Sequence, residues 1–93
     1  MKKIISTELA PKAVGPYSQA VEANGFVFIS GQISVNPQTG GIVEGGIKEQ
    51  ATQVLENIGA ILERANLNYT NVVKTTCLLS DMGNFTAMNE IYA

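Results

Sequence analysis

From Ile47 to Leu62 the apolar residues recur at helical spacing. Ile47, Ala51, Val54, Leu55, Ile58 and Leu62 share one face, and Lys48, Glu49, Gln53, Glu56 and Glu63 fall largely on the other. This predicts an amphipathic helix. Asn66 is placed as its left-handed C-cap, with Leu67 folding back, and Asn68 to Asn71 reads as a turn. Earlier in the chain the pattern is that of strands. Lys3 to Ser6 predicts an edge strand, Tyr17 to Ala23 a second, and Phe26 to Ile29 a third. Asn24-Gly25 joins the last two, and both residues tolerate the positive φ of a tight primed hairpin turn. Thr7 to Pro16 reads as a loop. Ser30 to Gly46 is irregular, with turn clusters at residues 37–41 and at Gly45-Gly46. Val72 to Leu79 is apolar on both faces for most of its length, which predicts a central, covered strand. Ser80-Asp81 ends it and opens a second helix, on which Phe85, Met88 and Ile91 or Tyr92 share a face.

The expected order is β-β-β-α-β-α in a single domain spanning residues 1–93. This is an α+β fold with two helices on one face of a mixed sheet, the helical crossover being right-handed. The opposite sheet face then needs a cover, and a second copy of the chain is the simplest one. Glu90 to Ala93 carries no Gly or Asn stop and no basic last turn, so the pattern reads as a helix cut short in a truncated chain.

Composition narrows the chemistry. The chain has 93 residues, of which 45% are hydrophobic and only 15% charged. So sparsely charged a surface on a small domain predicts contact with other subunits. The net charge is −2, and the basic residues stand singly apart from Lys2-Lys3, with no stripe to follow a phosphate backbone. Nucleic acid is not an expected partner. Cys77 is the single cysteine, which excludes an internal disulfide, fits a reducing compartment and reads as a small inert hydrophobe in the buried strand. The apolar run after Lys2-Lys3 ends at Ser6, too soon for a signal peptide, and no run is long enough to span a membrane. A cytoplasmic protein is expected.

The absence of histidine removes Ser-His-Asp and Cys-His catalysis and histidine metal sites, and one cysteine cannot build a zinc cluster. No phosphate-binding loop is present. No metal and no cofactor are expected. What is left is catalysis by positioning and hydrogen bonding. Tyr17 offers an aromatic wall with a phenol tip. Ser30 offers a hydroxyl at a strand end, Gly31 lets a ligand approach its backbone, and Asn89 offers an amide on the second helix. Each also has an ordinary reading: a strand-start aromatic, a bulge closing a hairpin, a surface helix residue.

The motifs add a resemblance. Gly15-Pro16-Tyr17-Ser18-Gln19-Ala20, Ser30-Gly31-Gln32-Ile33, Val35-Asn36-Pro37 with Thr39-Gly40, Gln50-Ala51, Asn57-Ile58, Val73-Lys74-Thr75-Thr76, Asp81 and Phe85 to Asn89 closely resemble the Rid family, also called the YjgF family, across the whole chain and in order. The resemblance implies a chorismate-mutase-like sheet and a homotrimer with clefts between subunits. It implies hydrolysis of reactive 2-imino acids and their enamine tautomers to 2-keto acids and ammonia. It further implies that Tyr17, Ser30, Gly31 and Asn89 contact the substrate, with no catalytic residue assigned among them. In the family an arginine that pairs with the substrate carboxylate and a glutamate that orients water lie on two further strands. Arg64, the sole arginine here, does not match that position. The resemblance therefore implies an impaired deaminase. Two other readings stay open: a non-catalytic trimer that senses a small molecule or regulates a partner, and the translation inhibitor or endoribonuclease that family members have also been called.

Overall fold

The computed structural model describes residues 3–13, 17–79 and 81–92. Three strands, β1 (Lys3–Ile5), β2 (Ala20–Ala23) and β3 (Phe26–Ile29), form an antiparallel sheet in that order. Asn24 and Gly25 have φ of 51° and 78°, the double left-handed turn whose twist matches the flanking strands. The second strand is shorter than expected, starting at Ala20 rather than Tyr17, although one ladder bond continues past it, from Ser30 N to Gln19 O at 3.0 Å.

Register decides which side chains are covered. Ile5, Ala20 and Ile29 lie opposite one another, and Val27 shares their face. Helix α1 (Ile47–Arg64) covers that face. Ile5, Ala10, Ala20 and Ile61 are buried together, with Val27, Ile29, Ala60 and Ala65 packed against them. Ile4, Val21, Ala23, Phe26 and Phe28 share the other face. This side is open: Phe28 is 62% exposed, Ile4 and Phe26 are similarly exposed, and the two phenylalanine rings stand 6.3 Å apart.

Helix α1 runs close to the predicted span. Glu49 Oε2 accepts the Gly46 backbone N–H at 2.9 Å, one half of a capping box, since glycine has no side chain to complete it. At the other end Asn66 has φ 63°, Leu67 N–H donates to Leu62 O and Asn66 N–H to Glu63 O. This is the Schellman pattern that the Asn66-Leu67 pair predicts. Asn68 then caps a short 3-10 turn, Tyr69–Asn71. The apolar arc of α1 is wider than the predicted stripe. Asn57, Ile61 and Leu62 are the buried residues, whereas Ile47, Ala51, Val54, Leu55 and Ile58 are half-buried.

Asp81 accepts the Gly83 N–H and opens the turn before helix α2 (Phe85–Tyr92), as expected. The other half of that predicted cap, Ser80, lies outside the described residues, as does the final Ala93. Helix α2 packs on α1. Met88 is its buried residue, and Phe85 and Tyr92, predicted to share its face, remain about half exposed. Lys48 and Glu90 pair across the two helices at 3.3 Å, both well exposed, a contact of little energetic consequence.

The predicted fourth strand is not formed. Residues 72–79 carry no ladder pairing, and Leu78 is 89% exposed. The composition is that of a covered strand, but a strand needs a hydrogen-bonded neighbour as well as apolar side chains, and among the described residues this segment has none. Among the described residues the sheet is therefore antiparallel rather than mixed, and no βαβ crossover is closed. Cys77 is correspondingly exposed rather than buried, its sulfur 3.8 Å from that of Met88. No helix among the described residues is long and apolar enough to cross a membrane.

Candidate functional site

The hairpin brings two parts of the motif together. Just past the last ladder pair, Ala20 and Ile29, the Ser30 N–H donates to Gln19 O and its Oγ donates to Ser18 O at 2.5 Å. Ser18 and Ser30 are thereby fixed side by side, with Tyr17 and Gly31 adjoining them on either strand. The Ser30 proton is committed to a carbonyl, so this hydroxyl offers its lone pairs rather than its hydrogen. Gln32 Nε2 donates back to Ser30 O at 3.1 Å. Tyr17 is 51% exposed. Gly31 is exposed too, and a Cβ added there would meet nothing within 4 Å, so its backbone is open to a solute. Gly15 and Pro16 of the same motif lie outside the described residues.

Two buried amides lie near this corner, and neither has an assigned role in the sequence pattern. Gln19, 4% exposed, accepts the Thr7 N–H at 2.7 Å and donates Nε2 to Thr7 O at 3.0 Å, Ala10 O at 3.3 Å and Pro11 O at 2.7 Å. It fastens the loop after β1 to the strand that carries Tyr17. Asn57 on α1 reaches across to residues 33 and 35. The available signal for Asn57 is a poor helix former one helical turn before Ile61, on the core side.

Asn89 stands on α2 and is exposed; among the described residues no hydrogen bond joins it to the Tyr17–Ser30 corner. A cavity of about 1150 Å³ opens between α1, α2, residues 75–79 and residues 32–34, lined by the apolar side of α1 that the helical pattern predicts. A smaller hollow of about 780 Å³ lies between residues 6–13, Gln19 and Arg64, whose Nε donates to Ser6 O at 3.0 Å. Neither is lined by Tyr17, Ser30, Gly31 or Asn89.

Tyr69 closes one end of the larger cavity. Its hydroxyl donates to Leu55 O, and it packs against Gly59, where a Cβ would meet the ring. Burial pushes its phenol pKa up, the Glu56 carboxylate adds to this, and the Gly59 backbone amide works against it.

Residues 7–93 match the family model described as Endoribonuclease L-PSP. The chain is 57% identical over 93 residues to the RutC family protein PH0854 of Pyrococcus horikoshii, spanning all of this chain and 74% of the relative. It is 51% identical over 92 residues to the 2-iminobutanoate/2-iminopropanoate deaminase of Mus musculus, covering 99% of this chain and 68% of that protein. A crystal structure of YyfA from Yersinia pestis, a protein of the conserved Rid family, superimposes with a TM-score of 0.97 at 46% identity, over 99% of this chain and 73% of its own. The chain belongs to the Endoribonuclease L-PSP family, the Rid family of the motif resemblance.

Proposed function

We propose that this chain carries the site of a hydrolytic deaminase for 2-imino acids and their enamine tautomers. The observation that carries the reading is the hydrogen-bonded corner that fixes Tyr17-Ser18 beside Ser30-Gly31, in a chain 51% identical to a 2-iminobutanoate/2-iminopropanoate deaminase. The chemistry suits these groups. An imine carbon is already electrophilic, so water adds to it without a metal or an activated nucleophile. The C=N bond becomes a carbinolamine, a proton passes to nitrogen, and ammonia leaves as the keto group forms. The protein has only to hold the acid, exclude wrong orientations and relay protons. In this reading Tyr17 forms a wall of the site. Ser30 accepts a hydrogen bond, the Gly31 backbone approaches the substrate closely, and Asn89 contributes from α2.

Asn89 belongs to the same site if a neighbouring subunit supplies it. The open face of Ile4, Val21, Phe26 and Phe28 supports a homo-oligomer, read here as a homotrimer with the substrate between subunits. Arg64 donates through Nε to Ser6 O, away from the Tyr17–Ser30 corner. No cofactor is assigned, and a cytoplasmic setting fits the single cysteine. The family's nuclease label does not transfer easily to six scattered basic residues and no histidine.

The test is release of 2-keto acid from 2-iminopropanoate generated in situ, with the 93-residue chain and its Tyr17→Ala variant. The expected result is a slow rate above spontaneous hydrolysis that the variant abolishes. Thermal stabilisation by a keto acid without turnover would favour the sensing trimer instead. Salt-sensitive RNA binding would favour the nuclease.

A further inference from the structure

Segment 31–34 leaves the three-stranded sheet at Ser30, and at its far end Ser34 O accepts the Val43 N–H at 2.9 Å beside an antiparallel bridge between Val35 and Ile42. Its upstream end is fixed by the two Ser30 bonds to residues 18 and 19. Its downstream end is fixed by Asn57, whose Nδ2 donates to Ile33 O at 3.3 Å and to Val35 O at 3.0 Å. The same amide is oriented from behind, because Gln53 Nε2 donates to its Oδ1 at 2.8 Å. Val35 N–H also donates to Ile33 O at 2.8 Å. Asn57 is 0% exposed. A carboxamide in the middle of a helix, on its core side, weakens the helix unless it satisfies groups that an apolar residue would leave unpaired. Here that group is the Val35 carbonyl, with the Ile33 carbonyl, which also accepts the Val35 N–H, as the second acceptor.

We propose that Asn57 is a positioning residue for the Ser30–Gly31 corner: it stretches residues 31–34 between the hairpin and α1, and so sets the direction of the Gly31 backbone. This deepens the deaminase reading and rests on it for the identity of the ligand. Gly31 has the widest backbone freedom of any residue type and no side-chain contact to restrain it. Without the tie to α1 the downstream end would be held only by its local pairing with residues 42 and 43, and residues 31 and 32 would sample more orientations. With both ends tied, the backbone presented to a ligand is preorganised.

The experiment uses the full chain labelled with 15N, and its Asn57→Ala and Gln53→Ala variants. Backbone order parameters are measured first, then pyruvate is titrated as the keto-acid probe. In the wild type, Gly31 and Gln32 should be nearly as rigid as the sheet, with order parameters of about 0.85, and in Asn57→Ala they should fall below about 0.6. Val21 and Phe28 should not change. The dissociation constant for pyruvate should rise about tenfold. Gln53→Ala, which only releases the amide from behind, should give a smaller change in the same residues and serves alone if Asn57→Ala does not fold. Unchanged order parameters in a folded variant would overturn the proposal. So would loosening spread evenly over the sheet, or an unchanged affinity where the wild type binds pyruvate. A wild type that ignores pyruvate would instead count against the deaminase reading, and the order parameters would still decide the role of Asn57.

Discussion

Replacing Gln19 by Glu changes one NH2 group to oxygen and almost nothing in shape. The present amide orientation is dictated by Thr7, whose N–H must meet an oxygen; that leaves Nε2 facing the carbonyls of Thr7, Ala10 and Pro11. In Gln19→Glu an anionic oxygen faces three carbonyl oxygens at a site 4% exposed. The two N–H donors shared among these carbonyls are lost, at roughly 0.5–1.5 kcal/mol each, and a buried charge without a partner adds to this. A destabilisation of about 3–5 kcal/mol follows, a large share of the ~5–15 kcal/mol that holds a small domain together. With a urea slope of roughly 1 kcal/mol/M, the unfolding midpoint at pH 7.5 should fall by about 3 M or more, or the variant should not fold. The sign with pH is also fixed. Burial and the carbonyls raise the folded-state pKa of the new carboxyl above its unfolded value of about 4.3. The stability its protonated form provides is thus fully present below about pH 4.3 and is lost as pH rises through the folded pKa. Equilibrium urea titrations at pH 4 and pH 7.5, beside Gln19→Ala as the uncharged control, measure both effects. A wild-type midpoint for Gln19→Glu at pH 7.5 would refute the reasoning, and so would a penalty that shrinks as pH rises.

Phe28→Asp places a charge in the open apolar sheet face; sedimentation velocity should show loss of the proposed oligomer with the hairpin still folded. Gly59→Ala gains about 1 kcal/mol of helix propensity, but the added Cβ meets the Tyr69 ring. Thermal unfolding should show no net stabilisation, and the expected gain should return in the Gly59→Ala, Tyr69→Ala double variant. Tyr69 has a folded-state pKa raised by burial, so its contribution is complete below the unfolded value near 10 and is lost as pH rises through the folded one. Stability measured between pH 9 and 11.5 should fall more steeply for the wild type than for Tyr69→Phe.

The elements that were legible from the chain are those with local causes. Asn24-Gly25 announces its turn because few residue pairs accept two positive φ angles in succession. Asn66-Leu67 announces a helix end because the cap is closed by groups within five residues. The Tyr17–Ser18 and Ser30–Gly31 pairs could be nominated from their motifs, and the hairpin register does put them side by side. Segment 72–79 misled for the converse reason. Its β-branched and apolar residues state a preference, but strand formation depends on a partner that composition does not specify. Gln19 and Asn57 were silent because a buried amide is distinguished only by the carbonyls it meets, and Asn57 meets its own more than twenty residues away.

The chain by itself determined the hairpin, the long helix with its caps, and the family. Tertiary structure alone decided which sheet face is covered, which side of α1 is core and which lines a cavity, and which backbone groups the two buried carboxamides meet. The division follows from range: turns, caps and periodicity are settled within a few residues, whereas burial and hydrogen-bond satisfaction are settled between segments that only folding brings together.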